Sequence, residues 1–453
     1  MNHETPKLQR HLKNRHIQLI AMGGAVGTGL FLGSAQIIQS AGPSIILGYV
    51  IGGFVAFLIM RQLGEMIVHE PVTGSFSYFA FKYWGKFAGF LTGWNYWILY
   101  ILVAMTELTA ISKYIHYWWP HIPAWLSVLF FFLIVTLTNL TNVKIYGESE
   151  FWLSMIKVIA IVAMIIFGTY LLLTADVGSA VSLSNLWNYG GFFPNGFSGL
   201  FYMLAFIMFA FGGIELISMA AAETEEPEKN IPKAINQIVI RIFLFYICSL
   251  VILLSLIPWN HLDLGGLDKS PFVIIFKQIG IDWASHLLNF IILTASLSVY
   301  NSGMYANSRM LLGLAQQGNA PKIFNRVNRQ GVPIPAVLFS ALLIFGCVLL
   351  NYFVPEKALS YLIYVVVSAA VLNWIMISLI HLKFKQAINA VGVKTQFPAL
   401  FSPMSNYIVL AFMLMILYII WNQGFMLSVL MIPLWIMLLF LLFKIVNAKK
   451  IVL

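Results

Sequence analysis

Charge is scarce in this sequence. Only 9% of its 453 residues are Asp, Glu, Lys or Arg, where a soluble domain carries roughly 25%. So little charge cannot cover a water-facing surface of this size, which excludes a soluble globular enzyme. Cysteine is nearly absent as well. Cys248 and Cys347 both lie in apolar runs, and disulfide frameworks and metal clusters need paired or grouped ligands. Buried free thiols are the plain reading. The chain also lacks an HExxH pattern, a clustered acidic motif and a nucleotide-binding P-loop. Its nine histidines are scattered, mostly in loops or near span ends, as with His69, His261 and His381. No catalytic residue, metal ligand or cofactor is therefore expected, and direct drive by ATP is excluded. A cleavable signal peptide is not expected either, because residues 1–16 are polar and basic and the following apolar run lacks a small-residue cleavage pattern.

Apolar residues are abundant, at 60% of the chain, and aromatics reach 15%, which excludes disorder. The mean hydropathy is +0.87. A helix needs about 20 mostly apolar residues to cross a bilayer. Runs of that length predict twelve spans, at 18–40, 43–63, 87–115, 123–141, 150–174, 197–222, 235–257, 283–312, 335–353, 359–382, 406–421 and 425–443. The expected fold class is an all-α polytopic membrane protein with both termini on one side. With the N-terminus inside, 21 of the 26 Lys and Arg residues fall in inside segments, four fall outside, and Lys157 lies within a span. That bias places both termini in the cytoplasm. It explains the net charge of +10 through loops facing anionic lipid, so the bilayer is the expected partner and nucleic acid is not.

The informative residues are those a lipid-buried helix should not contain. Three charged side chains lie deep in the predicted spans: Glu107, Lys157 and Glu215. Each costs at least about 2.5–3.5 kcal/mol at a helix centre, so each should face a polar cavity or a partner. Three of mixed sign in one bundle point to a substrate or proton pathway more than to structural contacts alone. They form no ring or repeated filter motif, which argues against a channel.

Glycine is the second anomaly. Span one contains the run Gly23-Gly24-Ala25-Val26-Gly27-Thr28-Gly29, and span six contains Phe209-Ala210-Phe211-Gly212-Gly213-Ile214-Glu215. Glycine weakens a helix and readily takes non-helical angles. Two interruptions at matching places, spans one and six, point to an inverted repeat of five plus five spans with broken helices. The expected organisation is a tail at 1–17, a first repeat at 18–174, a second at 197–382, two further spans within 404–443 and a tail at 444–453. A broken helix exposes N–H groups on one half and carbonyls on the other. The former suit a carboxylate and the latter an ammonium. A free amino acid carries both at one spacing, whatever its side chain. Gly33 and Gly48 are expected to serve close helix packing instead.

The third feature is aromatic. On span three, Tyr96, Tyr100, Val103 and Glu107 follow one helical stripe. Trp94 and Trp97 are expected in an interfacial belt. Tyr100 is expected to line a pocket and Phe209 to cap a ligand, and such aromatic walls suit an aromatic substrate weakly.

Several runs are hallmarks: residues 27–34 (GTGLFLGS), 60–66 (MRQLGEM), 70–76 (EPVTGSF) and Ala221-Ala222-Glu223-Thr224. On these the chain resembles bacterial amino acid permeases of the amino acid–polyamine–organocation superfamily, in its amino acid transporter branch. Gly93-Trp94-Asn95-Tyr96-Trp97, Tyr300-Asn301-Ser302 and residues 315–321 (AQQGNAP) make it most similar to the general aromatic amino acid permeases, with phenylalanine-specific ones near. Histidine and proline permeases share most of these motifs, and an amino acid exchanger of the same fold is the further alternative. The resemblance implies a leucine-transporter-type fold in the inner membrane and proton-driven symport of Phe, Tyr or Trp by alternating access, with no obligate protein partner. It implies that the break at Ala25, Gly27, Thr28 and Gly29 holds the substrate carboxylate, through the N–H groups of Thr28 and Gly29. The carbonyls of Phe209, Ala210 and Gly212 would hold the ammonium, with Phe209 as a gate. Lys157 matches the family lysine that takes the place of a sodium ion, and Glu107 and Glu215 would relay or hold the coupling proton.

Overall fold

The computed structural model describes residues 27–72, 75–141, 143–175, 181–220, 224, 226–262, 270–278 and 280–451. Among these it contains helices and turns and no β-strand. The helices are α1 (Thr28–Phe31), α2 (Gly33–Ala41), α3 (Ile45–His69), α4 (Ser75–Tyr83), α5 (Lys86–Trp118), α6 (Ala124–Asn139), α7 (Val143–Thr174), α8 (Gly196–Phe209), α9 (Leu216–Ala220), α10 (Pro227–Arg241), α11 (Ser249–Leu256), α12 (Pro271–Gln278), α13 (Asp282–Gln316), α14 (Ile334–Ile344), α15 (Gly346–Phe353), α16 (Ala358–Ala390), α17 (Met404–Asn422) and α18 (Met426–Ile451). A π-helical turn, Ile242–Cys248, joins α10 to α11.

Nine helices among the described residues are long and apolar enough to cross a membrane. The first of these, Thr28–His69, covers residues 28–40 of the first predicted span and the whole of the second, and Ala124–Asn139 and Gly196–Phe209 are shorter apolar helices. Gly42 (φ +58°) followed by Pro43 divides α2 from α3, since a left-handed glycine and a proline both end a helical hydrogen-bond ladder.

Burial and hydropathy are opposed at the two extremes. α13 is among the least apolar of the candidate spans and the most buried, whereas α18 is the most apolar and the least buried. In lipid, apolar side chains gain nothing by hiding, so the polar helix takes the centre. α13 packs most extensively on α5, and α5 in turn on α16. Buried amides tie these helices together: Asn289 Nδ2 donates to the Tyr114 carbonyl (2.9 Å) and Asn139 Nδ2 to Asn301 Oδ1 (2.8 Å). The expected belt role of Trp97 is corrected here. Trp97 is 4% exposed, stacks on Phe339 and donates to Ser340 Oγ at 3.0 Å. Trp94 donates to the Asn319 carbonyl at 3.1 Å. An indole N–H can go inside a membrane protein once it finds an acceptor there. Gly48 does serve close packing, because a Cβ there would meet Ile207 Cδ1 at 2.3 Å; Gly33 does not, its nearest neighbour being the Thr28 carbonyl at 3.9 Å.

The number of deep charges also changes. Besides Glu107, Lys157 and Glu215, the structure buries Glu65, Glu150, Arg241 and Arg309. Glu65, in the MRQLGEM run of α3, accepts from Lys385 Nζ (2.9 Å), Thr395 Oγ1 (2.5 Å) and the Ala399 N–H (2.8 Å), and pairs with His381 Nε2 (2.9 Å). One turn earlier, Arg61 donates to the Pro398 carbonyl at 2.6 Å and lies over the Phe397 ring. Together they fasten the end of α3 to α16 and to the segment before α17. Glu65→Ala leaves His381 and Lys385 facing a carboxylate-sized gap. It should cost about 3 kcal/mol of stability, the usual loss on breaking a buried pair, read as a lower melting temperature of the purified protein in detergent, whereas Glu226→Ala in an exposed pair should leave it unchanged.

Candidate functional site

The start of helix at Thr28 and a gap in helix at residues 210–215 meet at the centre of the bundle. Ala25 and the upstream glycines of span one lie outside the described residues. Gly27 has non-helical angles (φ −138°, ψ −145°), and helix begins at Thr28. In span six, α8 ends at Phe209, residues 210–215 form turns, and α9 begins at Leu216. Gly213 sits in that gap with φ +91°, a conformation that costs an L side chain dearly. The two interruptions touch backbone to backbone. A Cβ on Gly29 would stand 2.6 Å from Ala210 Cα and 2.9 Å from Ala210 N, so only glycine allows the approach.

A cavity opens beside this contact. Of the residues singled out in the sequence, Gly27, Gly29, Tyr100, Glu107, Phe209, Gly212 and Glu215 line it. Thr28, Ala210 and Lys157 are not among its lining residues. The stripe on α5 is only partly confirmed: Tyr100, Val103 and Glu107 reach the cavity, whereas Tyr96 packs between Tyr100 (4.7 Å between centroids) and Phe76 (5.0 Å).

Glu107 closes the first interruption. Its carboxylate accepts the Thr28 N–H (3.3 and 3.4 Å to its two oxygens) and the Thr28 hydroxyl (2.6 Å), and that hydroxyl also contacts Ser296 Oγ (3.1 Å). Gly27 makes room for it, since a Cβ there would meet Glu107 Oε1 at 2.8 Å. The Thr28 N–H expected to face a ligand carboxylate is thus engaged by a carboxylate of the chain itself. At the second interruption Ala210's carbonyl accepts from Tyr246 Oη (2.8 Å), and Phe209's accepts the Gly212 N–H (3.0 Å). Each carbonyl keeps a second acceptor site. Tyr100 Oη donates to Glu215 Oε1 (3.2 Å), and Glu215 Oε2 is buried without a hydrogen-bond partner among the described residues.

Lys157 belongs to a second buried group. Its ammonium donates to Ser298 Oγ (2.9 Å), and Ser298 donates to Glu150 Oε1, which Ser154 also reaches (3.1 Å). The charges acting on it are Glu150, Glu107 and Arg241. Glu150 was missed because the predicted span begins at that residue. The helix starts at Val143, which carries Glu150 two turns inside. Arg241 was counted with an inside segment, yet only 1% of it is exposed, and it donates to Tyr246 Oη at 3.4 Å. The α16 wall of the cavity, Val366, Val367 and Ala370, was invisible in sequence because one apolar run looks like another.

No ligand chemistry beyond polar recognition is offered by this set, and among the described residues no group of His, Cys, Asp or Glu could hold a metal ion. Residues 16–451 match the amino acid permease family. The chain belongs to that family. The match makes this protein a permease and not an enzyme, and a polytopic membrane protein. Among its relatives, the aromatic amino acid transport protein AroP of Escherichia coli strain K12 is 58% identical over 448 residues, covering 98% of this chain and 97% of the relative. AroP of Salmonella typhimurium strain LT2 is 58% identical over 434 residues, covering 96% and 94%. The uncharacterized transporter YdgF of Bacillus subtilis strain 168 is 42% identical over 445 residues, covering 98% and 96%.

The contact at Gly29 gives a sharp expectation for this permease. Gly29→Ala forces the two interruptions apart against backbone that cannot rotate away, and should lower amino acid uptake at least about 10-fold, the scale of overpacking a close contact. Gly33→Ala, whose Cβ would meet only an ordinary contact at 3.9 Å, should leave uptake and membrane abundance as they are.

Proposed function

We propose that this permease carries the aromatic amino acids Phe, Tyr and Trp inward across the cytoplasmic membrane by proton symport, through alternating access. Twelve spans are arranged as five plus five in inverted repeat with two more at the C-terminal end, and both termini are cytoplasmic. Spans one, two, six and seven rock against a scaffold of three, four, eight and nine. The gradient drives it, with no cofactor. The substrate reading is supported by the identity to the AroP proteins, which extends over nearly the whole of both chains. The observation that carries the mechanism is Glu107 seated on the Thr28 N–H and hydroxyl beside the cavity.

In this reading the substrate carboxylate takes the peptide N–H groups of Thr28 and Gly29, with Ala25 and Gly27 supplying the open backbone. The ammonium takes the carbonyls of Phe209 and Gly212, and Ala210 shares its carbonyl with Tyr246. Phe209 covers the ligand. Glu107 then competes with the substrate for one place. Two carboxylates cannot share an N–H group in a dry interior without strong repulsion. A proton that neutralises Glu107 loosens it from Thr28, so proton and substrate enter together. Lys157, beside Glu150 and within the influence of Glu107, balances that exchange, and Glu215 receives the proton through its unpartnered oxygen.

Uptake of labelled phenylalanine into proteoliposomes with an imposed pH gradient tests the proposal. Accumulation should collapse with a protonophore, persist without sodium, and be competed by tryptophan and tyrosine above the other amino acids. Uptake that requires sodium and ignores the pH gradient would overturn the ion assignment, and vesicles that fill only when preloaded with substrate would identify an exchanger. Glu107→Gln should keep exchange of internal for external substrate while losing gradient-driven accumulation about 10-fold or more. Lys157→Ala should also lose accumulation; wild-type accumulation in either variant refutes its coupling role.

A further inference from the structure

One wall of the cavity comes from α16, a helix without a charged or glycine-rich signal at that level. Residues 366, 370 and 374 stack one turn apart on its inward side, and they are valine, alanine and tryptophan. Val366 and Ala370 line the cavity and are 2% and 4% exposed. Trp374 is buried and lies against the Glu215 carboxyl, its indole nitrogen closing no hydrogen bond of ordinary length. Ala370 is therefore the smallest of the α16 residues that line the cavity, a notch beside Val366 and Val367. Leu99 and Val103 of α5, also a turn apart, line it too.

The height of the notch is fixed by hydrogen bonds. Asn95 Nδ2 donates both to the Ala369 carbonyl (3.0 Å) and to Asn373 Oδ1 (3.0 Å). Asn95 and Asn373 are buried, and a buried amide left unpaired is costly, so α16 cannot slip along α5 without breaking these bonds. The polar end of the cavity lies at Glu107 and Gly27. Leu99 is eight residues before Glu107 on the same helix, about 12 Å away along its axis. A zwitterion anchored at the polar end points its side chain along this line, toward Leu99 and the notch.

We propose that Ala370 sets the size of side chain this permease accepts, its missing bulk making room for the second ring of an indole. The inference rests on the proposed transport of aromatic amino acids and adds to it the residue that separates tryptophan from phenylalanine. Leu99, Val103, Val366 and Ala370 are all apolar, so the wall they form discriminates by space. Shape discrimination in an apolar pocket is worth roughly 10- to 200-fold per methylene-sized change.

The test compares Ala370→Val and Ala370→Gly with wild type in proteoliposomes, reading KM for labelled phenylalanine and for labelled tryptophan. Ala370→Val should weaken tryptophan about 10-fold or more relative to phenylalanine, and Ala370→Gly should move the ratio the other way, toward tryptophan. Equal loss of both substrates, or an unchanged ratio in both variants, overturns the inference. Ala370→Gly removes only one methyl group, so it keeps the comparison readable if the valine variant fails to fold. Wild-type vesicles that take up neither substrate refute the transport reading itself; wild-type uptake with an unchanged ratio in the variants refutes the notch alone.

Discussion

A peptide group left unpaired inside a bilayer has no water to turn to, and each one costs several kcal/mol. The centre of this protein is built around that constraint. Helix is absent at Gly27 and across residues 210–215, at the depth where a continuous helix would be the cheapest answer. The structure permits this because other parts of the chain supply the missing partners. Glu107 reaches the Thr28 N–H from α5, and Tyr246 reaches the Ala210 carbonyl from the π-helical turn. Gly29 lets the two irregular segments lie against each other, so that neither faces lipid.

The same constraint sorts the rest of the molecule. Polar side chains collect in the middle, on α13 and on the faces of α5, α7 and α16 that meet it, while α18 offers lipid an almost unbroken apolar surface. Buried charges come in company. Glu150 holds Ser298 between itself and Lys157, and Glu65 gathers four partners from α16 and the segment that follows. Such groups fix helix positions through geometry more than through net energy, because the cost of taking the charges out of water offsets much of their attraction. A partner that can be displaced, as Glu107 can by another carboxylate, turns a structural contact into a responsive one.

Much of this was legible in the residues. Hydropathy located the helices among the described residues, because a span must exceed a fixed length of apolar chain, while some ends lay seven or eight positions further out, as at Val143 and Ala390. The break in span six was announced by Gly212 and Gly213, and Glu107, Lys157 and Glu215 stood out as charges in lipid-length runs. Other features were misjudged for a definite reason: one-dimensional reading assigns depth by distance from a span's end. Glu150 looked peripheral until α7 proved to start at Val143. Trp97 looked interfacial until its indole met Ser340. Thr28 and Ala210 looked available, and their N–H and carbonyl groups are held by Glu107 and Tyr246.

By itself the sequence determined the class of molecule, the approximate spans, the break in span six and the charges that do not belong in lipid, since all of these follow from local composition and the thickness of a bilayer. Tertiary structure alone decided which polar groups pair, because partners such as Thr28 and Glu107 are 79 positions apart. It also decided which apolar residues face a cavity and which face lipid. Val366 and Ala370 carry no local mark of that difference, which is made only by the helices that pack around them.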